Sequence, residues 1–320
     1  MYQTTHFPKA KKFWHDGKFF DWSEAHLHPM VHALHYGSSV FEGIRAYPTA
    51  DGPAIFRLKE HVDRFLYSAK VAWMKVPYTR REITDTIILT LKENGLESAY
   101  IRPLLFFSYG NLGLVPRFCP VQMVIATWEW GAYLGEKAAE GVCVYLVPWR
   151  RVHRSQLDMR AKLGGVYVQS TICGLAARAR GCDEAVFLNL EGRVAEGPGE
   201  NIFIYRNGVL KTNDINESIL EGITRTSLLE IAADNGIKTK VGPIKKEELL
   251  GADEVFFSGT AVEVVAITDV IDGSNADVKP KKHRIGKGRP GPVTTRLKEI
   301  YMDTVHGRVK KYGKWLTHVR

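Results

Sequence analysis

The sequence predicts a two-domain α+β protein, and three observations carry that prediction. Its 320 residues exceed the size at which one hydrophobic core ordinarily keeps growing. Residues 1–129 read as a hairpin, helices and strands in mixed order. After a glycine-interrupted stretch at 130–140, a second series of strands and helices fills residues 141–320. The segment 130–140 is therefore set as an interdomain loop between a small N-terminal domain and a larger C-terminal one.

Each element follows from local pattern. Phe13 to Phe20 places aromatic strands on either side of Asp16-Gly17, the strongest short hairpin signal. Glu60 to Met74 spaces Val62, Phe65, Leu66, Ala69, Ala72 and Trp73 as one helical stripe, and Ile83, Ile87, Ile88 and Leu91 define a second helix ending at Asn94-Gly95. Ala99 to Ser108 and Val121 to Trp130 are strands. Beyond the loop, Val142 to Val147 is a strand, Gly165 to Ala179 a helix closing at Gly181, and Ala185 to Leu190 a strand turning at Glu191-Gly192. Asn201 to Tyr205 and Val209 to Thr212 form a hairpin across Asn207-Gly208. A helix over Ile223 to Ala233, strands over Glu254 to Ser258 and Val262 to Ile267, and a helix over Val293 to Val305 complete the chain.

Composition narrows the class. No apolar run approaches the roughly 20 residues of a membrane-spanning helix, and the first residues lack the apolar core of a secretory signal, so a cytoplasmic protein without membrane contact is expected. Cys119, Cys143, Cys173 and Cys182 form no Cys-x-x-Cys and read as reduced packing residues. The net charge of +9 has its densest patch at Lys279 to Arg289, read as a solvated loop. Elsewhere the basic residues are interspersed with acids and no nucleic-acid motif accompanies them, so attraction for small anions is expected rather than nucleic-acid binding. His28, His32 and His35 recur at helical spacing without a carboxylate or cysteine to complete a set, which favours local packing over a metal site.

The chemistry-bearing strings lie in the second half. Lys162 sits among Ala161, Leu163, Gly164 and Gly165. A lysine is ordinarily a solvated charge, but this setting gives little polar cover, and desolvation would leave a neutral, nucleophilic amine. The glycines would let a flat ring approach the backbone. Glu196 and Glu200 flank Gly-Pro-Gly, which reads either as an exposed acidic turn or as a carboxylate beside a pyridine nitrogen. Leu220 to Arg225, where Gly222 opens a helix, and Ser258 to Ala261 suit either ordinary capping or phosphate binding. Together they point to pyridoxal phosphate.

In these strings the chain resembles the branched-chain amino acid aminotransferases, fold type IV pyridoxal-phosphate enzymes. The resemblance runs through His32 to Tyr47, Ala99 to Pro103, Trp130 to Gly135, Lys162, Glu196 to Asn201, Gly222 to Arg225, Ser258 to Ala261 and Gly286 to Thr294. It implies a small N-terminal α/β domain, a larger C-terminal domain with a barrel-like sheet, and a homodimer or higher homo-oligomer.

The resemblance also implies roles. Lys162 bonds to pyridoxal 5'-phosphate and moves the proton at the substrate α-carbon. Glu196 pairs with the ring nitrogen and Tyr167 with the phenolic oxygen. Arg64, Gly222, Ile223, Thr224 and Thr260 hold the phosphate, although periodicity alone makes Arg64 a solvated edge residue. Phe41, Gly43, Trp130, Tyr133 and Tyr167, with Tyr36 and Leu114 of a neighbouring subunit, line the substrate pocket. Arg102 takes the distal carboxylate of glutamate, and Tyr100, Thr260 and Ala261 the α-carboxylate. The implied reaction exchanges amino groups between leucine, isoleucine or valine and 2-oxoglutarate. Val166 departs from the pattern, standing where many bacterial members carry an asparagine. D-amino acid and R-selective amine aminotransferases share the lysine and the distal glutamate and are the alternative.

Overall fold

The structure, a computed structural model, describes residue 7, residues 9–131 and residues 134–319. The chain forms two units: Met1–Gly131 with Ala161–Val166 and Asp303–Arg320, and Ala132–Arg160 with Tyr167–Met302.

In the first unit, Asp16 and Gly17 take positive φ (41° and 93°), as a two-residue hairpin turn requires, and join β1 (Lys12–His15) to β2 (Lys18–Asp21). The segment that follows holds α1 (His32–Tyr36), β3 (Ser39–Phe41), β4 (Ile44–Thr49) and β5 (Gly52–Phe56), none of which periodicity predicted. The reason is visible in β4, where Ile44, Ala46 and Tyr47 are all buried and no two-residue alternation survives. α2 (Leu58–Val71) buries Leu58, Val62, Phe65 and Ala69 along one stripe. α3 (Arg80–Asn94) buries Ile83, Ile87 and Leu91, starts at a Thr79/Glu82 capping box and stops at left-handed Gly95. β6 (Ala99–Phe107) and β7 (Val121–Trp128) complete the series. The sheet runs Leu316–His318, β5, β4, β6, β7, β1, β2, with β3 paired to β6, and α2 and α3 supply the helical side of its core.

The second unit holds β8 (Val142–Arg150), α4 (Tyr167–Arg178), β9 (Glu184–Leu188), β10 (Arg193–Val194), β11 (Asn201–Arg206), β12 (Val209–Thr212), α5 (Ile223–Asp234), β13 (Lys238–Val241), β14 (Ile244–Lys245), α6 (Lys246–Leu250), β15 (Glu254–Gly259), β16 (Glu263–Asp272) and β17 (Lys281–Arg284). Its sheet runs β13, β12, β11, β15, β16, β8, β9, β10, β14, with β17 on β16, and curls as a half-barrel. β8 lies parallel to both β9 and β16, so side chains such as Val144, Leu146, Val186 and Val270 are fully buried. Part of the basic stretch read as a loop is strand β17, where Lys282 and Arg284 face Asp269 at 3.3 and 3.9 Å.

α7 (Pro292–Val305) is capped from a distance in sequence. Glu254 of β15 accepts hydrogen bonds from the amides of Val293 (3.1 Å) and Thr294 (2.8 Å) and from the Thr294 hydroxyl (2.7 Å). A β-carbon on Gly291 would fall 2.1 Å from Glu254 Cδ, which explains the glycine in Gly-Pro-Val-Thr. Among the described residues no helix is long and apolar enough to cross a membrane.

Candidate active site

Lys162 lies in the segment 161–166, which is fixed to the first unit by its backbone. Its amide donates to Ser68 Oγ of α2 (2.9 Å), its carbonyl accepts from the Phe41 amide (3.3 Å), and Leu163 bridges to Val40. The space beside Gly164 and Gly165 is already filled: a β-carbon on Gly164 would meet Ser39 Oγ at 2.1 Å, and one on Gly37 would meet Gly165 Cα at 2.7 Å. The glycines expected to admit a flat ring instead let this segment lie against β3. They also delay the predicted helix, which begins at Tyr167 after a 3-10 turn over Gly164–Val166. The lysine is half-buried, and its Nζ stands 4.8 Å from the centroid of the Phe41 ring.

Arg64 is not the solvated edge residue that periodicity suggests. Its Nε donates to Glu42 Oε1 (2.5 Å) and its Nη2 to Glu42 Oε2 (2.9 Å), while His61 Nδ1 lies 2.7 Å from the same Oε2. Glu42 and His61 are wholly buried. Burial alone raises the Glu42 carboxyl, but the Arg64 charge and the bonds from His61 and Arg64 outweigh it and hold the group well below the usual carboxylate range. Burial lowers His61 below its ordinary value, against the pull of Glu42. Neither Glu42, His61 nor Ser68 was marked in the sequence. Ser68 donates to the Arg64 carbonyl (2.8 Å) while accepting from the Lys162 amide, so one helical turn positions both residues.

Phe41, Gly43, Tyr100, Arg102 and Trp130 come together on the same unit. Tyr100 stacks edge-on against Trp130 (4.6 Å between centroids), and Gly43 is required because a β-carbon would lie 2.0 Å from the Tyr100 oxygen. Arg102 packs over Phe41 (4.7 Å) and Tyr100 (5.2 Å) and donates from Nη2 to the Tyr100 hydroxyl (3.0 Å). Its Nε is buried without a partner among the described residues. An under-coordinated cation thus sits in an aromatic wall. Tyr36 and Leu114 are 44% and 79% exposed, while buried His32 bridges Ser38 Oγ (2.7 Å) and the Gly113 carbonyl (3.0 Å) as a packing residue. Tyr133 lies outside the described residues.

In the second unit, Glu196 is buried rather than on an exposed acidic turn. Arg151, equally buried and absent from the sequence reading, donates to Oε1 from Nε (3.0 Å) and Nη2 (2.9 Å). Oε2 accepts from the Leu220 amide (3.0 Å) and Asn201 Nδ2 (3.3 Å). Glu200 serves its own loop, accepting from the Gly199 amide at 2.9 Å. Among the described residues no side chain caps α5, so the amides of Ile223 and Thr224 open its N-terminus. Gly222 stands where a β-carbon would meet Asn201 Oδ1 at 1.9 Å. Thr260 and Ala261 are half-buried in the turn after β15, and Tyr167 begins α4.

The second unit carries a buried glutamate and a helix N-terminus without a side-chain cap on its mixed half-barrel sheet, and the first unit carries a lysine pinned by its backbone; these are the donor types of an amino-group-transferring enzyme. The family model of amino-transferase class IV matches residues 39–270. The chain belongs to that family and, within it, to the branched-chain-amino-acid aminotransferases. It is 43% identical over 308 residues to the branched-chain-amino-acid aminotransferase of Pseudomonas aeruginosa, covering 96% of this chain and 97% of that one. It is similar to the T.th. branched-chain amino acid aminotransferase solved with N-(5'-phosphopyridoxyl)-L-glutamate (TM-score 0.90, 42% identity, 98% and 100% of the two chains). The same enzyme was solved with 4-methylvaleric acid (TM-score 0.89, 42% identity, 98% and 100%).

Proposed function

We propose that this protein exchanges amino groups between branched-chain L-amino acids (leucine, isoleucine, valine) and 2-oxoglutarate, yielding branched-chain 2-oxo acids and L-glutamate, with pyridoxal 5'-phosphate as cofactor. The single observation that carries the substrate reading is Arg102 within the wall of Phe41, Tyr100 and Trp130. One surface offers apolar contact to an aliphatic side chain and a cation to a distal carboxylate. The similar T.th. enzyme has been solved with an acidic and with a branched aliphatic ligand.

The donor set suits the cofactor. The amides of Ile223 and Thr224 and the side chain of Thr260 in the second unit, and Arg64 in the first, would each serve as phosphate donors. Glu196, paired with Arg151, would be the carboxylate for a protonated ring nitrogen, and Lys162 would be the amine that holds the aldehyde until the substrate amine displaces it and frees Nζ. When bound, the cofactor withdraws electrons from the substrate α-carbon and keeps the amino group between the two halves of the exchange. The protein does the rest. Lys162 Nζ takes and returns the α-proton, with its backbone locked by Ser68 and Phe41 so that only the side chain moves. Tyr167 would donate to the cofactor's phenolic oxygen. Tyr100, Thr260 and Ala261 orient the α-carboxylate, and the aromatic wall keeps water from the reacting carbon.

A homo-oligomeric, cytoplasmic enzyme is part of this reading, and the exposed Tyr36 and Leu114 support their service to a neighbouring subunit's pocket. The purified holoprotein, given L-leucine, D-alanine and an R-amine with 2-oxoglutarate, is expected to turn over L-leucine, and Lys162→Ala to abolish it. Rapid D-alanine turnover without L-leucine turnover would overturn the assignment.

A further inference from the structure

Glu42 is a charged side chain with 0% exposure that no step above uses. It immediately follows Phe41, whose amide holds the Lys162 carbonyl, and its own amide donates to the Pro103 carbonyl (3.0 Å), so the backbone at this position is fixed on both sides. The carboxylate is equally fixed. Besides the two bonds from Arg64, Oε2 receives the His61 imidazole (2.7 Å) and the Gly43 amide (3.3 Å). Glu42 grips the Nε/Nη2 edge of the guanidinium. A planar guanidinium held by that edge has the direction of its other edge, formed by Nη1 and the outer N–H of Nη2, determined as well.

We propose that Glu42 is a positioning residue for the cofactor phosphate, fixing the guanidinium of Arg64 so that its end-on edge meets the phosphate. This rests on the reading of Arg64 as a phosphate ligand. Two physical effects of Glu42 oppose each other. Its negative charge offsets that of Arg64 and taken alone weakens attraction for a phosphate dianion. Its bidentate grip removes the rotational freedom of a long side chain before binding and strengthens it. Because the cluster is buried and every Glu42 oxygen is engaged, the geometric effect dominates, and loss of Glu42 loosens phosphate binding.

The full-length protein stripped of cofactor is titrated with pyridoxal 5'-phosphate and, separately, with pyridoxal, which lacks the phosphate; bound ligand is read by absorbance. Wild type is expected to bind the phosphorylated ligand far more tightly. Glu42→Gln should weaken it by about ten- to a hundredfold, the scale of one charge-assisted hydrogen bond, and leave pyridoxal unchanged. Glu42→Asp, which keeps the charge and moves it by one methylene, should weaken it in the same selective way. Arg64→Gln should do so too, with Glu42→Gln adding little to it in the double variant. Unchanged or tighter phosphate binding in Glu42→Gln, a wild-type response to Glu42→Asp, or equal weakening of both ligands would each overturn the proposal. If Arg64→Gln leaves the preference for the phosphate intact, or wild type shows none, the reading of Arg64 falls and the proposal with it.

Discussion

Replacing Arg102 by leucine separates the two demands on the substrate pocket. Among the described residues its guanidinium has one hydrogen bond, to the Tyr100 hydroxyl at 3.0 Å, faces on Phe41 and Tyr100, and a buried Nε with no partner. A glutamate or 2-oxoglutarate carboxylate would complete that coordination; a leucine side chain would not. A hydrogen bond to a charged group contributes about 1.5–3 kcal/mol, so kcat/KM for glutamate and 2-oxoglutarate should fall by about 10- to 150-fold. The value for the leucine half-reaction should move by less than about threefold, because the substituted side chain keeps the wall apolar. Single-turnover absorbance with each amino acid measures the two half-reactions separately. Equal losses for glutamate and leucine would refute the assignment of Arg102 to the distal carboxylate.

Glu254→Ala removes three hydrogen bonds from the start of α7 and should lower stability by about 1–3 kcal/mol, read as a lowered urea midpoint; an unchanged midpoint would show that the cap is replaced by water. Acid should destabilise the first unit in two windows. The lowered imidazole of His61 makes the unfolded chain bind the proton first, so its contribution is full above about pH 6.5 and declines below. Glu42, held low, contributes above about pH 4.3 and is lost as pH falls towards its folded value. Urea unfolding from pH 7 to 5 should therefore show a slope that His61→Asn flattens, and an equally steep variant would contradict it. The Sγ atoms of Cys143 and Cys182 stand 2.7 Å apart, and the bond from Cys182 lowers the Cys143 thiol. Mild peroxide, reduced to water, should join these two sulfurs, giving a linked peptide pair lighter by two hydrogens; two alkylatable thiols remaining at these positions would disprove it.

Legibility followed the strength of local signals. The Asp16-Gly17 hairpin, the stripe of α3 and the stop at Gly95 lie where the sequence places them, because turn chemistry and an amphipathic face are local properties; the stripe of α2 holds through Ala69, but the helix ends at Val71 and Trp73, predicted on the stripe, is 93% exposed at positive φ. β4 and β5 did not show, since consecutive buried residues lose alternation, and β3 is only three residues long. Among the candidate residues, Lys162 and Glu196 stood out in the sequence through unusual neighbours. Arg151, Glu42, His61 and Ser68 did not, because each is a common residue type whose significance is a partner 19 to 94 positions away.

The sequence by itself determined the longer helices, the hairpin turns and the class of chemistry, all of them encoded within short windows. Tertiary structure alone decided that the segment 161–166 and the C-terminal strand Leu316–His318 belong with the first unit's sheet. It alone gave Gly164 and Gly165 to close backbone packing, and placed Arg64 and Glu196 in buried ion pairs with Glu42 and Arg151. A buried charge must find its counter-charge wherever the fold brings one near, and that distance in space leaves no trace in the spacing along the chain.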